Sequence, residues 1–224
     1  YEDKKLVWDY ILYQDQSRNI NGDGWLPFDP FAPEDVSMFN ADCTFYFQTD
    51  AYAPGLDLSF LQAFTNEVKE VGGKFFCDVV LENTFRDPRP RGNLRIVSGA
   101  FNVPATGANY KDMQVTVNFT RDTVRVLDFE IGTEVMTRYK KSTRGRFYID
   151  RGSFAVFDST SFWNGLQTAQ VNLKADNFLA INTSNYRARI GADIRMFGDL
   201  DAPKFDGTLT ILRSSVFYPA LEES

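Results

Sequence analysis

The amino-acid sequence predicts a mainly β, antiparallel protein: a jelly-roll-like sandwich or a closed barrel of about ten strands, with one short α-helix near residues 57–71. Three observations lead there. Aromatic residues make up 15% of the 224 residues, with 21 Phe, 10 Tyr and 3 Trp, and aromatics favour strands and fill sheet cores. From Lys74 onward, run after run of apolar residues is cut by Gly, Asn, Asp, Ser or Pro, the pattern of strands joined by turns. No strand–helix–strand alternation occurs, which argues against a parallel doubly wound sheet.

Lys5 to Tyr13 reads as a first strand. A long connection is expected over about 15–36, where Gly22, Gly24, Pro27, Pro30 and Pro33 gather; connections of this length in a compact domain usually carry function. Ser37 to Thr49 reads as strand again. Leu58, Leu61, Phe64, Val68 and Val71 then recur at three- and four-residue steps, with Asp57 or Ser59 as cap and Gly72-Gly73 as stop, so a helix is predicted. Strands follow over 75–85, 94–103, 113–119, 123–137, 146–157, 170–181, 186–197 and 208–217. With no internal repeat and no low-complexity linker, residues 1–224 are expected to form a single all-β domain.

Composition excludes several chemistries. The chain has no histidine, which removes Ser-His-Asp and Cys-His catalysis and histidine metal ligation. No Gly-rich phosphate loop, nucleophile elbow or CxxC is present, so an enzyme is not expected. No run approaches the roughly 18 apolar residues of a membrane helix, and the opening Tyr1-Glu2-Asp3-Lys4-Lys5 is not a signal-peptide pattern. Cys43 and Cys77 lie in apolar strand-like runs and are expected as buried free thiols.

Charge is unevenly distributed. Residues 1–85 carry 15 Asp and Glu against 5 Lys and Arg, whereas residues 86–151 carry 13 Lys and Arg against 7 Asp and Glu. The plain reading is local pairing and solvation. The sharper one is a pair of opposite patches that draw copies into a homo-oligomer or larger assembly. Arg86, Arg89, Arg91, Lys140, Lys141, Arg144 and Arg146 are the candidate basic interface. The acidic total of −6 and the lack of a binding motif argue against nucleic acid.

One segment carries ligand chemistry. Asn19-Ile20-Asn21-Gly22-Asp23-Gly24 resembles the start of a calcium loop, in which alternate oxygen-bearing side chains surround a hard cation and glycine permits the turn. Asn19, Asn21, Asp23 and the nearby Asp29 are the candidate calcium ligands; Pro30 stands where such a loop has its bidentate Glu, and an Asn/Gly/Asp-rich turn is the plain alternative. Asp128 and Glu130 share one strand face, as surface carboxylates commonly do, and Trp25 or Trp163 could stack on a sugar.

These features point first to a non-enzymatic structural protein acting by self-assembly, such as a virion, tail or surface-layer component. The alternatives are an extracellular calcium-dependent carbohydrate-binding module and a barrel carrying a small ligand or acting as a cyclase. A virion or extracellular location is expected.

Overall fold

Thirteen strands pair antiparallel into one continuous sheet in the computed structural model, which describes residues 5–14, 17–28, 42–49, 55–136 and 142–217. The strands are β1 (Lys5–Gln14), β2 (Ser17–Pro27), β3 (Thr44–Thr49), β4 (Leu56–Asp57), β5 (Lys69–Thr84), β6 (Asp87–Val103), β7 (Ala108–Thr120), β8 (Thr123–Met136), β9 (Ser142–Ile149), β10 (Phe154–Phe157), β11 (Leu166–Asn182), β12 (Tyr186–Asp199) and β13 (Lys204–Val216). The mainly β class predicted from the sequence is what the chain adopts. The main path runs β1-β2-β3-β5-β6-β7-β8-β10-β11-β12-β13, with β4 on β5 and β9 bridging β8 and β11. β1 and β13 are the two ends of this path, so the roll is barrel-like but unclosed.

The sheet is strongly bent. Six strand steps separate β2 from β10 along the path, about 29 Å in a flat sheet at 4.8 Å per step. Even so, Ile20 of β2 and Phe157 of β10 line the same cavity. A row of β-bulges supplies much of the bend, since a bulge kinks its strand and increases local twist. Glu70, Ser98, Asp112 and Asn177 each adopt left-handed φ, between 49° and 53°, at register shifts in β5, β6, β7 and β11. Glycines face three of these bulges across the ladder. A Cβ on Gly73 would lie 3.1 Å from the Ser98 carbonyl oxygen, one on Gly132 3.1 Å from that of Lys111, and one on Gly145 2.1 Å from that of Asn177. The bulges and their glycines form a crease across adjoining strands.

Two expectations are corrected. The connection predicted over 15–36 is strand across 17–27: β2 pairs with β1 on one side and β3 on the other. The glycines taken as turn signals serve close approach. A Cβ on Gly22 would meet the Tyr10 ring and the Tyr46 carbonyl, and one on Gly24 would meet the Trp8 ring. The rest of the expected connection, residues 29–36, lies outside the described residues. The predicted helix is a six-residue 3-10 helix, Leu58–Ala63, capped by the Asp57 side chain accepting from the Ser59 N–H at 2.9 Å. Residues 69–71 already belong to β5. Val71 therefore belongs to a strand, where β-branched side chains are favoured, and Val68 lies just before it.

Candidate functional site

Register and alternation place apolar side chains on one face of the sheet from the first strand to the last. Phe45 and Phe47 of β3 stand beside Leu81 and Val79 of β5, and Cys77 and Phe75 stand beside Leu94 and Ile96 of β6. Those continue into Val117 and Val115 of β7, then Phe129 and Phe147. Past β9 and β10 the row runs through Ala169, Val171 and Leu173 to Met196 and Ile194, and ends on Phe205, Leu209 and Ile211 of β13. The opposite face carries Asp78, Asn93, Arg95, Thr116, Asp128, Lys174, Asp176, Asp193 and Arg195.

The apolar face is the concave one. Rings from non-adjacent strands meet on it: Trp8 on Phe45 at 5.1 Å and Tyr10 on Phe47 at 5.8 Å, across the glycines of β2, and Tyr110 stacked on Phe178 at 5.3 Å between β7 and β11. A cavity of about 350 Å³ lies between Ile20, Phe47, Phe75, Val79, Leu94, Phe119 and Phe162. Toward β13 nothing among the described residues covers the face: Phe205, Leu209 and Ile211 are 62, 61 and 67% exposed. This is an apolar trough, part filled by aromatic rings and part open.

One end of the trough is crossed by residues 157–162. The Phe157 N–H donates to the Asp122 carbonyl at 2.8 Å, and the Phe162 N–H donates to Asp87 Oδ1 at 2.7 Å. Both rings line the cavity. Arg89 fixes this crossing. Its Nη1 and Nη2 donate to the carbonyls of Asp158 and Ser159 at 3.0 and 3.3 Å, and its guanidinium pairs with Asp87 at 2.9 Å and Asp122 at 3.3 Å. The Asp158 carboxylate accepts from the Thr160 hydroxyl and the Thr160 and Ser161 N–H groups, which hold its pKa below the usual carboxylate value. At the other end, the Asn182 N–H donates to the Thr106 carbonyl at 2.7 Å, tying β11 to the β6–β7 turn.

The residues singled out from the sequence do not form one site. Asn19, Asn21 and Asp23 lie along extended β2, where alternate positions are about 6.6 Å apart, so the curved backbone of a calcium loop is not formed. Asp29 lies outside the described residues, and among the described residues no three acidic or thiol side chains cluster as metal ligands. Trp25 holds Lys5 over its ring at 4.3 Å. The basic candidates disperse: Arg89 is buried in its clamp, Arg91 pairs with Glu82 at 3.7 Å, Arg146 with Asp176 at 3.0 Å, and Arg144 with Asp112. Arg86 is exposed, and Lys140 and Lys141 lie outside the described residues. Local pairing thus accounts for much of the basic middle segment. Asp128 faces Arg151 at 3.9 Å. Cys43 and Cys77 are free thiols, Cys43 buried and Cys77 partly so. The trough itself escaped sequence reasoning, although its signal, one apolar side on every strand, was present.

Residues 158–224 match the family model described as the TamB C-terminal domain. No curated protein matches the chain, and no solved structure matches it. The family match points to the bacterial envelope. It overturns the expected function of a virion, tail or surface-layer structural protein. The segment expected to form a calcium loop is strand β2 over residues 17–27, and among the described residues β1 and β13 do not pair to close a barrel. No helix among the described residues is long and apolar enough to cross a membrane.

Proposed function

We propose that this chain is a segment of a bacterial envelope protein that holds lipid acyl chains along its trough and works with a membrane-protein partner in the outer membrane. The observation that carries the reading is the unbroken apolar concave face from β1 to β13, set against a polar convex face, with its β13 side uncovered. A globular protein seals such a face under a second layer, because exposed apolar area of this extent is costly in water. An acyl chain is the complementary guest: flexible, narrow, and stabilised by about 0.8 kcal/mol per buried methylene. About ten buried methylenes would then supply about 8 kcal/mol, enough for capture without any polar contact. The open edges let a chain enter from the side. The likeness of residues 158–224 to the TamB C-terminal domain supports the envelope setting.

The test is binding of a fluorescent long-chain fatty acid to delipidated protein. Saturable binding is expected, weakened strongly by Leu209→Asp combined with Ile211→Asp, positions that are 61 and 67% exposed. Absence of binding, or binding unchanged in the double variant, would refute the reading.

A further inference from the structure

We propose that Arg187, Arg189 and Arg213 form a binding site for a phosphate-class oxyanion at the edge of the sheet, on the face opposite the trough, where the β11–β12 hairpin meets the β6–β7 turn. Arg213 stands directly opposite Arg189 in the β12–β13 register, and Arg187 lies two residues along β12 from Arg189, on the same side of the strand. Like charges directly opposite one another in a sheet are destabilising. Among the described residues none of the three makes an ion pair, whereas Arg89, Arg91, Arg144, Arg146 and Arg151 each have a carboxylate and Arg95, Arg125 and Arg195 each lie over an aromatic ring.

Arg189 is the anomaly that points to a ligand. It is 7% exposed, its Nη1 donates to the Asn177 carbonyl at 2.7 Å, and its Nη2 is buried with no partner. A buried guanidinium lacking both a counter-ion and a full set of acceptors is costly. Burial and the neighbouring charges of Arg187 and Arg213 both disfavour its charged form. Arg187 and Arg213 are exposed, and Arg187 is steadied by its Nε donating to Asn182 Oδ1 at 2.9 Å. Two accessible planar forks over a third, buried charge suit a tetrahedral oxyanion, which takes several charge-assisted hydrogen bonds at once. An anion there relieves the mutual repulsion of all three groups. The phosphate can be free or carried as a lipid headgroup. The latter source rests on the acyl-chain reading: exposed Leu209 and Ile211 lie on the same edge strand, β13, but on its other face, so such a lipid straddles that edge.

Calorimetric titration of the whole chain with inorganic phosphate and, separately, with water-soluble dihexanoyl phosphatidic acid tests the site. Binding of at least one is expected, weakened at least about tenfold by Arg213→Gln, an exposed position whose loss leaves the buried side chains in place. Equal affinity for both probes identifies a free-phosphate site; tighter binding of the phosphatidic acid identifies a headgroup site. No binding of either probe, or binding unchanged in Arg213→Gln and in Arg187→Gln, overturns the proposal. Phosphate binding with no fatty-acid binding would leave this site standing while refuting the acyl-chain trough, and the reverse outcome would do the opposite.

Discussion

The Tyr110 and Phe178 rings stack with centroids 5.3 Å apart and planes 8° from parallel. They join β7 to β11, which are not neighbours in the sheet. Phe178 is buried and also packs on Phe147 at 5.6 Å, so this stack braces the bend of the sheet from inside. Phe178→Ala is expected to cost about 3–5 kcal/mol, the range for buried aromatic truncation, and Tyr110→Ala less. Urea unfolding of the two variants measures the difference.

Thr133 repairs the ladder where the Asn177 bulge interrupts it. Its hydroxyl donates to the Gly145 carbonyl at 3.3 Å and accepts from the Leu179 N–H at 3.2 Å, all within the buried interior. Thr133→Val keeps the shape but strands that N–H, so a loss of about 1–3 kcal/mol is expected. Amide hydrogen exchange should show the loss of protection centred on Leu179, whereas a general packing defect would raise exchange throughout β11.

Arg89 tethers the crossing at residues 157–162. Removing it leaves Asp87 and Asp122 without their shared cation and frees two carbonyls. Arg89→Ala is therefore expected to destabilise by about 1–3 kcal/mol, chiefly from the carbonyls of Asp158 and Ser159 left without their donor. Arg89→Lys should recover little, because an ammonium cannot serve acceptors in two directions as the planar fork does. Proteolysis near Trp163, which is exposed, reports on release of the crossing.

Asp57 gives the fold an acid-sensitive contact. Its carboxylate caps the 3-10 helix through the Ser59 N–H and pairs with Lys74 at 3.0 Å, and these interactions lower its pKa from 3.8 to about 2. A depressed pKa means stability that is complete above the ordinary carboxylate range and is lost as pH falls through about 2. Asp57→Asn should flatten that part of the acid stability profile while leaving stability at neutral pH lower than in the parent chain. A profile unchanged by the substitution would rule out the contribution.

The uncovered β13 face should tolerate charge. Leu209→Asp is expected to change stability by no more than about 0.5 kcal/mol, as at other exposed positions, against several kcal/mol for Val79→Asp inside the cavity. Thermal melts of both variants distinguish an open trough from a filled core.

Much of the fold is written locally. Alternation from Phe75 onward fixes the strands, because a period of two puts successive side chains on opposite faces. The turns follow from the Gly, Asn, Asp and Pro residues between them. Two local signals mislead. Gly22 and Gly24 read as turn residues because a lone chain gives no sign that the Tyr10 and Trp8 rings will lie against them. The three- and four-residue spacing of Leu58, Leu61, Phe64, Val68 and Val71 suits a helix until pairing of β5 with β6 claims Val71.

What the sequence by itself determined is the mainly β class and most of the strands from Phe75 onward, each with an apolar side. Only the tertiary structure decided that those sides join into one trough, that Arg89 is a buried clamp, and that Arg187, Arg189 and Arg213 gather without a carboxylate. Strand pairing and the bulge crease are long-range relationships, and they set which residues meet across a bent sheet. Alternation along a strand says which way a side chain points; it carries no information on what stands opposite.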